Sequence, residues 1–183
     1  MIDEKFLFIE SKDSIVWNSF WKESLRNMVG FLKSQGINQY KDLARFNARA
    51  LVEPALWRLP EINGKYHTRF YSRAVWERSL QEGKLPSRSG GKWAATRAEV
   101  MLEHVVERAP LIGWIFEDPK RIDQIQDVCI GCVVTKDESN KLPSKCGVDP
   151  KNVWKRYLEG KVDVYDRKLN RWHILDGKIQ SSK

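Results

Sequence analysis

Residues 128–142, VCIGCVVTKDESNKL, combine two local signals that decide how we expect the chain to fold. The first half, VCIGCVV, is continuously apolar and ends at Thr135, which is the form of a buried strand. Glu138 follows Thr135 by three residues, the spacing of a capping box, in which each side chain accepts a hydrogen bond from the other residue's backbone N–H. The stretch therefore predicts a buried strand that passes directly into a helix, beginning at Lys136 and ending before Pro143.

The segment before this unit places a histidine beside a carboxylate within an apolar run. In EHVVERAPLI, residues 103–112, Glu103 precedes His104, which is one of only three histidines in the chain. The histidine is either a core residue with satisfied ring nitrogens, or a general base or metal ligand held in place by its neighbours. The surrounding segment could be a helix as far as Ala109, or a helix that turns into a strand near the paired valines, which favour extended structure. The apolar spacing does not decide between these alternatives.

The N-terminal part of the chain predicts helices that end at glycine or proline. These helices are residues 14–36, which Ser14 caps and Gly36 ends, residues 40–59, with a break at Pro54 and a stop at Pro60, and residues 69–83, which close on Gly83. The segment KLPSRSGGK, residues 84–92, is rich in glycine, serine and basic residues and predicts a flexible loop.

The C-terminal part predicts two further helices and a hairpin. Asp-Pro opens a short helix over residues 118–127, and a second Asp-Pro opens a helix over residues 149–161. Residues 162–175 have the pattern of a β-hairpin that turns at Leu169–Asn170. His173 alternates along the second strand of this hairpin, so we expect it to face solvent.

The composition indicates a soluble globular protein. The chain has 183 residues, of which 42% are hydrophobic and 31% charged, and it contains eight tryptophans. No apolar run approaches the length needed to cross a bilayer, and the N-terminus lacks the pattern of a signal peptide, so we expect no membrane association. Three cysteines cannot all pair within the chain, which favours a reducing compartment, and we expect the cytoplasm.

The net charge of +8 is concentrated in one segment. Residues 65–97 hold eight lysines and arginines against two glutamates, which is a net charge of +6. Aromatic and hydroxyl side chains alternate with these bases, a mixture that suits contacts with nucleic-acid phosphates and bases. A solvated basic face that binds no ligand would have the same composition. The candidate nucleic-acid-binding residues are Lys65, His67, Arg69, Arg73, Arg88, Lys92 and Arg97.

A histidine on one element, followed by a buried strand and a capped helix, suits phosphodiester hydrolysis. The histidine would take a proton from water, while a divalent metal neutralises charge on the leaving phosphate. The two stretches EHVVERAPLI and CVVTKDESNKL resemble the HNH endonucleases, the ββα-metal nucleases, over residues 98–142. Members of that family often open with acid–His–Val/Ile and close with a helix of the form Thr-x-x-Glu-His/Asn-x-x-Leu.

The resemblance implies a role for each residue of the site. His104 would be the general base, and Glu103 beside it would take part in catalysis as a metal ligand. Asn140 would be the ligand from the helix. Counting back from Leu142, however, puts the family's last His/Asn position on Ser139, about 100° from Asn140 around a helix, so both are candidate metal ligands. The implied cofactor is a divalent metal, Mg²⁺ or Mn²⁺.

The cysteines offer a rival metal site. Cys129 and Cys132 have the Cys-x-x-Cys spacing of zinc sites, and Cys146 could add a third ligand. Both paired cysteines lie in an unbroken apolar run without a second pair, and this favours buried thiols over structural zinc.

We therefore expect an α+β fold in a single domain, residues 1–183. A largely helical DNA-binding part, residues 1–90, would precede a small ββα-metal-like nuclease core with a C-terminal helix and β-hairpin, residues 91–183. The expected function is metal-dependent hydrolysis of DNA phosphodiester bonds. Two other functions stay open: a non-catalytic nucleic-acid-binding or regulatory protein, and a protein-interaction module whose tryptophans bind a partner. The sequence also leaves open whether the chain forms a homodimer.

Overall fold

The computed structural model describes residues 2–10, 12–45, 49–61, 66–87, 99–144 and 146–180. Most of the predicted loop over residues 84–92 lies outside these ranges. The predicted nucleic-acid-binding residues outside them are Lys65, Arg88, Lys92 and Arg97.

The N-terminal part is helical, as the sequence predicts, but the predicted cap is wrong because Ser14 lies inside the first helix. Its helices are α1 (Lys12–Ser34), α2 (Tyr40–Arg45) and α3 (Arg49–Arg58), with 3₁₀ turns at Glu4–Phe6 and Leu59–Glu61. Gly36 follows α1 with a φ of 80°, which only glycine adopts without strain. The break expected at Pro54 is wrong, because Pro54 lies inside α3. Its ring is exposed, so water can reach the helix carbonyl that proline leaves without a donor.

The described residues form one mixed six-stranded sheet, so the predicted α+β class is confirmed. The strands are β1 (Phe70–Ser72), β2 (Val100–His104), β3 (Gly131–Thr135), β4 (Val164–Asp166), β5 (Arg171–Leu175) and β6 (Lys178–Ile179). Their order across the sheet is β2-β3-β1-β4-β5-β6. β1 runs parallel to β3, and all other neighbouring pairs are antiparallel.

Strand β1 corrects the prediction of one helix over residues 69–83. The helix is confined to α4 (Arg73–Glu82), which ends at Gly83 with a φ of 67°, and the three residues before it are extended. Phe70, Tyr71 and Ser72 are all buried; β4 pairs with all three on one side, and β3 pairs with Phe70 and Tyr71 on the other. The two predicted parts of the chain, residues 1–90 and 91–183, therefore share one sheet.

The strand–helix unit predicted from residues 128–142 is confirmed. β3 is buried from Gly131 to Val134 and passes into α7 (Lys136–Lys141). Thr135 Oγ1 accepts from the Glu138 backbone N–H at 3.2 Å, and Glu138 Oε2 accepts from the Thr135 N–H at 3.0 Å, which is the predicted capping box. β2 pairs antiparallel with β3, so the segment does form a strand, but this strand ends at His104, just before the paired valines. Most of the helix predicted before it lies outside the described residues.

Helical structure that the sequence did not predict fills the connection from β2 to β3. α5 (Arg108–Glu117) follows β2. A 3₁₀ turn (Pro119–Gln124) and α6 (Ile125–Val128) come next, in the place of the one short helix predicted over residues 118–127. α5 packs with α1, α2 and α3 around the largest fully buried side chains of the helical core, among them Leu25, Leu43, Leu56, Leu111 and Ile115. This core adjoins the end of β2.

Each face of the sheet has its own apolar cluster. On one face, Tyr71 lies beside Val133 and Tyr165, and α4 covers them with Trp76, which stacks on Tyr165 at 4.1 Å. On the other face lie the strand residues that alternate with these, and the segment around α8 (Lys155–Glu159) covers them. The cluster on this face contains Phe70, Cys132, Val134, Trp154, Tyr157, Val164 and Ile174. This alternation fixes the register of β1 against β3 and β4.

The C-terminal hairpin is confirmed, with Asn170 at its turn in the left-handed region. The helix before it, α8, is shorter than predicted. A second turn at Asp176–Gly177 adds β6, which the sequence did not predict. The expectation that His173 faces solvent is wrong, because its ring packs against Phe70 and Trp154, with centroids at 5.4 and 4.8 Å. Across the described residues, no helix combines the length and apolarity needed to cross a membrane.

Candidate functional site

A cleft of about 290 Å³ opens where the end of β2 meets α3 and α5. The residues that line it come from three segments of the chain: α3, the stretch that leads from β2 into α5, and α8. They are Arg49, Trp57, Leu102, Glu103, His104, Glu107, Arg108, Ala109 and Arg156. Glu103 and His104, the two residues singled out by the sequence, therefore line the same cleft with three arginines.

His104 is held by the end of α3. It is 6% exposed, and its Nε2 lies 3.2 Å from the carbonyl oxygen of Leu56, to which it donates. The ring meets Trp57 edge-on, with centroids 5.0 Å apart. Burial lowers the pKa of His104 to about 4, the Leu56 hydrogen bond opposes this, and Arg108 and Arg156 lower the pKa further. The imidazole is therefore neutral at pH 7, with the Nδ1 lone pair on the opposite side of the ring from Leu56.

Glu103 joins β2 to α7. Its Oε1 accepts a hydrogen bond from Ser139 Oγ at 2.9 Å, and its Oε2 lies 3.9 Å from Arg156 Nη1. Asn140, the other candidate ligand from the helix, is exposed. The structure thus places Ser139, rather than Asn140, beside Glu103, as one helical step of about 100° separates the two side chains.

Arg156 is a buried cation at the edge of the cleft. It is 7% exposed, its Nη1 donates to the backbone oxygen of His104, and its Nε donates to that of Pro143, both at 2.9 Å. These bonds connect the end of β2 to the segment after α7. Sequence spacing gave no signal for this residue, since it lies 52 positions from His104.

Arg108 and Arg49 form the other cationic side of the cleft. Arg108 lies over the Trp57 ring at 4.1 Å and 3.6 Å from Glu53, which also pairs with Arg49 at 2.6 Å. The stacking and the ion pairs fix these side chains at the cleft, because they restrict the rotamers of two long side chains.

Glu138, which lies on α7 beside Ser139, has a structural role. Its Oε2 accepts from Ser72 Oγ and from Thr135, and its Oε1 accepts from the Ala74 backbone N–H at 3.3 Å. The carboxylate therefore connects α7 to the start of α4, and its lone pairs are used within the fold.

The donors beside Glu103 suit a hydrated hard cation. No group of three or more His, Cys, Asp or Glu side chains comes together in the described parts of the chain. Mg²⁺ often binds through one or two carboxylates and completes its shell with water and substrate phosphate, so Glu103 and Ser139 fit it by donor type. They lack the His and Cys ligands on which zinc sites mainly depend. Arg156, 3.9 Å from the same carboxylate, would weaken the affinity for any cation.

The cysteines are free, and Cys129 and Cys132 are buried as predicted. Cys129 Sγ lies 3.4 Å from the Leu56 carbonyl oxygen that also accepts from His104. Burial raises the pKa of Cys129 to about 12, so this thiol stays protonated.

Two of the predicted phosphate contacts are paired with carboxylates. Arg69 forms two hydrogen bonds with Asp166, at 2.9 and 2.6 Å, and Arg73 lies 3.2 Å from Asp163 while its guanidinium covers Trp172. His67, the third described residue among the candidate nucleic-acid-binding residues, is exposed. The basic charge of residues 65–97 is therefore partly neutralised within the fold. The arginines of the cleft lie outside that segment and are also paired, with Glu53 and Glu103.

Comparisons with known proteins add no relative. No protein-family model matches the chain, and neither a curated protein nor a solved structure is significantly similar to it. The resemblance to HNH endonucleases over residues 98–142 stays a prediction from the residues alone.

Proposed function

We propose that this chain is a DNA endonuclease whose site is the cleft beside His104. The observation that carries the proposal is the meeting of Glu103 and His104 with three guanidinium groups in one cleft, next to the strand–strand–helix unit of β2, β3 and α7. A histidine base and fixed cations both promote phosphodiester hydrolysis, the first by taking a proton from water and the second by stabilising charge on the phosphate.

The arginines would bind the phosphates. Guanidinium groups donate to two phosphate oxygens at once, and the cleft offers Arg49, Arg108 and Arg156 from three segments of the chain. Arg156 is held by two backbone carbonyls, and Arg108 is stacked on Trp57. Little side-chain entropy would be lost when a phosphate binds to such fixed groups.

His104 would take the proton of the attacking water. Its Nε2–H is committed to Leu56, so Nδ1 is the nitrogen with a free lone pair for that proton. A pKa of about 4 keeps the ring neutral and able to accept a proton throughout the physiological range. The same low pKa makes His104 a weak base, so we expect slow turnover.

Glu103 and Ser139 would hold the cation that the resemblance implies. When bound, Mg²⁺ or Mn²⁺ would neutralise charge that develops on the leaving phosphate. Three free thiols, two of them buried, support action in a reducing compartment such as the cytoplasm.

The proposal is tested by nicking of supercoiled plasmid with pure protein in Mg²⁺, Mn²⁺ or EDTA. We expect nicking to require the metal. Ser139→Ala and Glu103→Gln should each lower the rate of nicking at least ten-fold. Asn140→Ala is the matched control on the same helix and should retain full activity. Equal activity of the wild type in EDTA, or a damaging Asn140→Ala beside a harmless Ser139→Ala, would contradict the assignment of the ligands.

A second candidate function is non-catalytic nucleic-acid binding. The observation that favours it is the Arg156 guanidinium beside Glu103, since it supplies a permanent positive charge where a hydrolase needs a metal. DNA that binds with micromolar affinity but is not nicked in either metal would favour this function over the nuclease.

A further inference from the structure

Helix α1 carries a second apolar face, on the side away from the core. Trp17 and Phe20 are each 50% exposed and Phe31 is 59% exposed, whereas Leu25, Val29 and Leu32 of the same helix are buried. We call this surface the α1 outer face. It consists of Trp17, Phe20, Ser24, Asn27 and Phe31, with Val16 at its edge.

The spacing of the α1 outer face is that of a helix–helix seam. Its residues follow one another at steps of three, four, three and four positions, so they form a continuous stripe along one side of the helix. Trp17 and Phe20 already contact each other edge-to-face at 5.5 Å. The stripe therefore presents aromatic rings to solvent at its two ends, Trp17 and Phe20 at one and Phe31 at the other, with the polar side chains of Ser24 and Asn27 between them.

We propose that a second copy of this chain packs its own α1 on this face, in the antiparallel direction. Ser24 lies seven residues after Trp17 and seven before Phe31. A two-fold axis at Ser24 would therefore bring Trp17 against the partner subunit's Phe31 at both ends of the seam. The small side chain of Ser24 at the crossing point would let the two helices approach closely.

The area of the face suits a weak dimer. Aromatic side chains carry about 200 Å² each, so three at half exposure, together with Val16, present about 400 Å² of apolar surface. Two copies would bury about 800 Å² of apolar surface and a polar margin, close to the ~1,000 Å² of the smallest specific interfaces. The inference does not depend on the proposed nuclease activity, because the α1 outer face is separate from the cleft.

Sedimentation equilibrium of the full chain tests the proposal. We expect a monomer–dimer equilibrium in the micromolar range, which Phe20→Glu and Phe31→Glu each abolish while the circular dichroism spectrum stays unchanged. Ile179→Glu, which charges another exposed apolar residue, is the control and should leave the dimer intact. A wild type that stays monomeric at high micromolar concentration would overturn the proposal.

Disulfide crosslinking tests the geometry. In a Cys146→Ser background, Ser24→Cys should form a covalent dimer under mild oxidation. Ser34→Cys should not, because in the proposed pair the two sites would lie about 30 Å apart along the seam. Crosslinking at Ser34 but not at Ser24 would overturn the antiparallel pair. Quenching of tryptophan fluorescence by a single-stranded oligonucleotide that is lost in Trp17→Leu, with protein that stays monomeric, would assign the face to base stacking instead.

Discussion

His104 donates its Nε2–H to the carbonyl oxygen of Leu56, four residues before Pro60. In a continuing α-helix the donor to this carbonyl would be residue 60, but proline has no N–H. The histidine, with Cys129 at 3.4 Å, supplies the donors that the proline removes. The bond that stabilises the end of α3 also fixes the tautomer of the ring, so a structural and a catalytic role can coexist in one histidine.

The two roles of His104 can be separated by substitution. His104→Gln can still donate an amide N–H to Leu56 but has no basic nitrogen, so we expect near wild-type thermal stability and a loss of nicking of about 10² to 10⁴. His104→Ala loses the donor and the packing, and should be destabilised by about 1 to 3 kcal/mol. Melting temperature and plasmid nicking are measured on the same preparations. A fully active His104→Gln protein would remove the histidine from the chemistry.

Acid should destabilise the fold through the same residue. The pKa of His104 is lowered from 6.5 to about 4, so between these pH values the unfolded chain binds a proton that the folded chain does not. The contribution of neutral His104 to the free energy of unfolding is therefore fully present above pH 6.5 and is lost as the pH falls toward 4. The expected loss is about 3 kcal/mol. Urea unfolding of the wild type and of His104→Gln at both ends of this range checks the prediction. Parallel pH profiles for the two proteins would assign the acid loss to other groups.

The cleft arginines should determine the salt dependence of DNA binding. If Arg108 contacts one phosphate, Arg108→Gln should reduce the slope of log affinity against log salt concentration by about one. Arg78→Gln, which removes a positive charge from the basic segment, residues 65–97, outside the cleft, should leave the slope unchanged. Fluorescence anisotropy with a labelled duplex at several salt concentrations gives both slopes. A larger change in slope for Arg78→Gln than for Arg108→Gln would place the DNA-binding site on the basic segment, residues 65–97, and not at the cleft.

Gly131 allows the close approach of β3 to the turn that follows α3. A Cβ atom at this position would lie 2.8 Å from Pro60 Cβ and 2.9 Å from Leu102 Cδ1. Gly131→Ala should therefore lower the free energy of unfolding by about 1 to 3 kcal/mol. Gly147→Ala is the control, since no atom lies within 4 Å of its added Cβ. Denaturant midpoints of the two variants are compared. Equal midpoints would mean that the turn after α3 shifts to make room for the Cβ atom without a loss of stability.

Local signals predicted the parts of the fold whose determinants are local. The capping box of Thr135 and Glu138 and the turn at Asn170 involve residues a few positions apart, and both were correct. Strand β1 was missed because its extended form depends on pairing with β3 and β4, which overrides the helical pattern of residues 69–83. α5 was missed because its run from Leu111 to Phe116 is apolar on all sides and has no helical period.

The candidate site divides in the same way. Glu103 and His104 are adjacent in sequence, so the acid–histidine pair can be recognised from the residues alone. The guanidinium groups that share their cleft come from Arg49, Arg108 and Arg156, and tertiary packing alone brings these together. His173 was misplaced for a related reason, since Trp154 and Phe70, which bury its ring, are distant in sequence.

The position of β1 between β3 and β4 also determines the order of events during synthesis. A ribosome that has just completed Ser72 must add about 60 more residues before β3 exists, which takes roughly 3 to 12 s at ordinary elongation rates. During this interval residues 70–72 have neither of the strands on which their extended form depends, so this apolar segment stays open to chaperones or to wrong pairing. Slow codons placed before β3 should therefore lower the yield of native protein, whereas slow codons after β4 should have little effect.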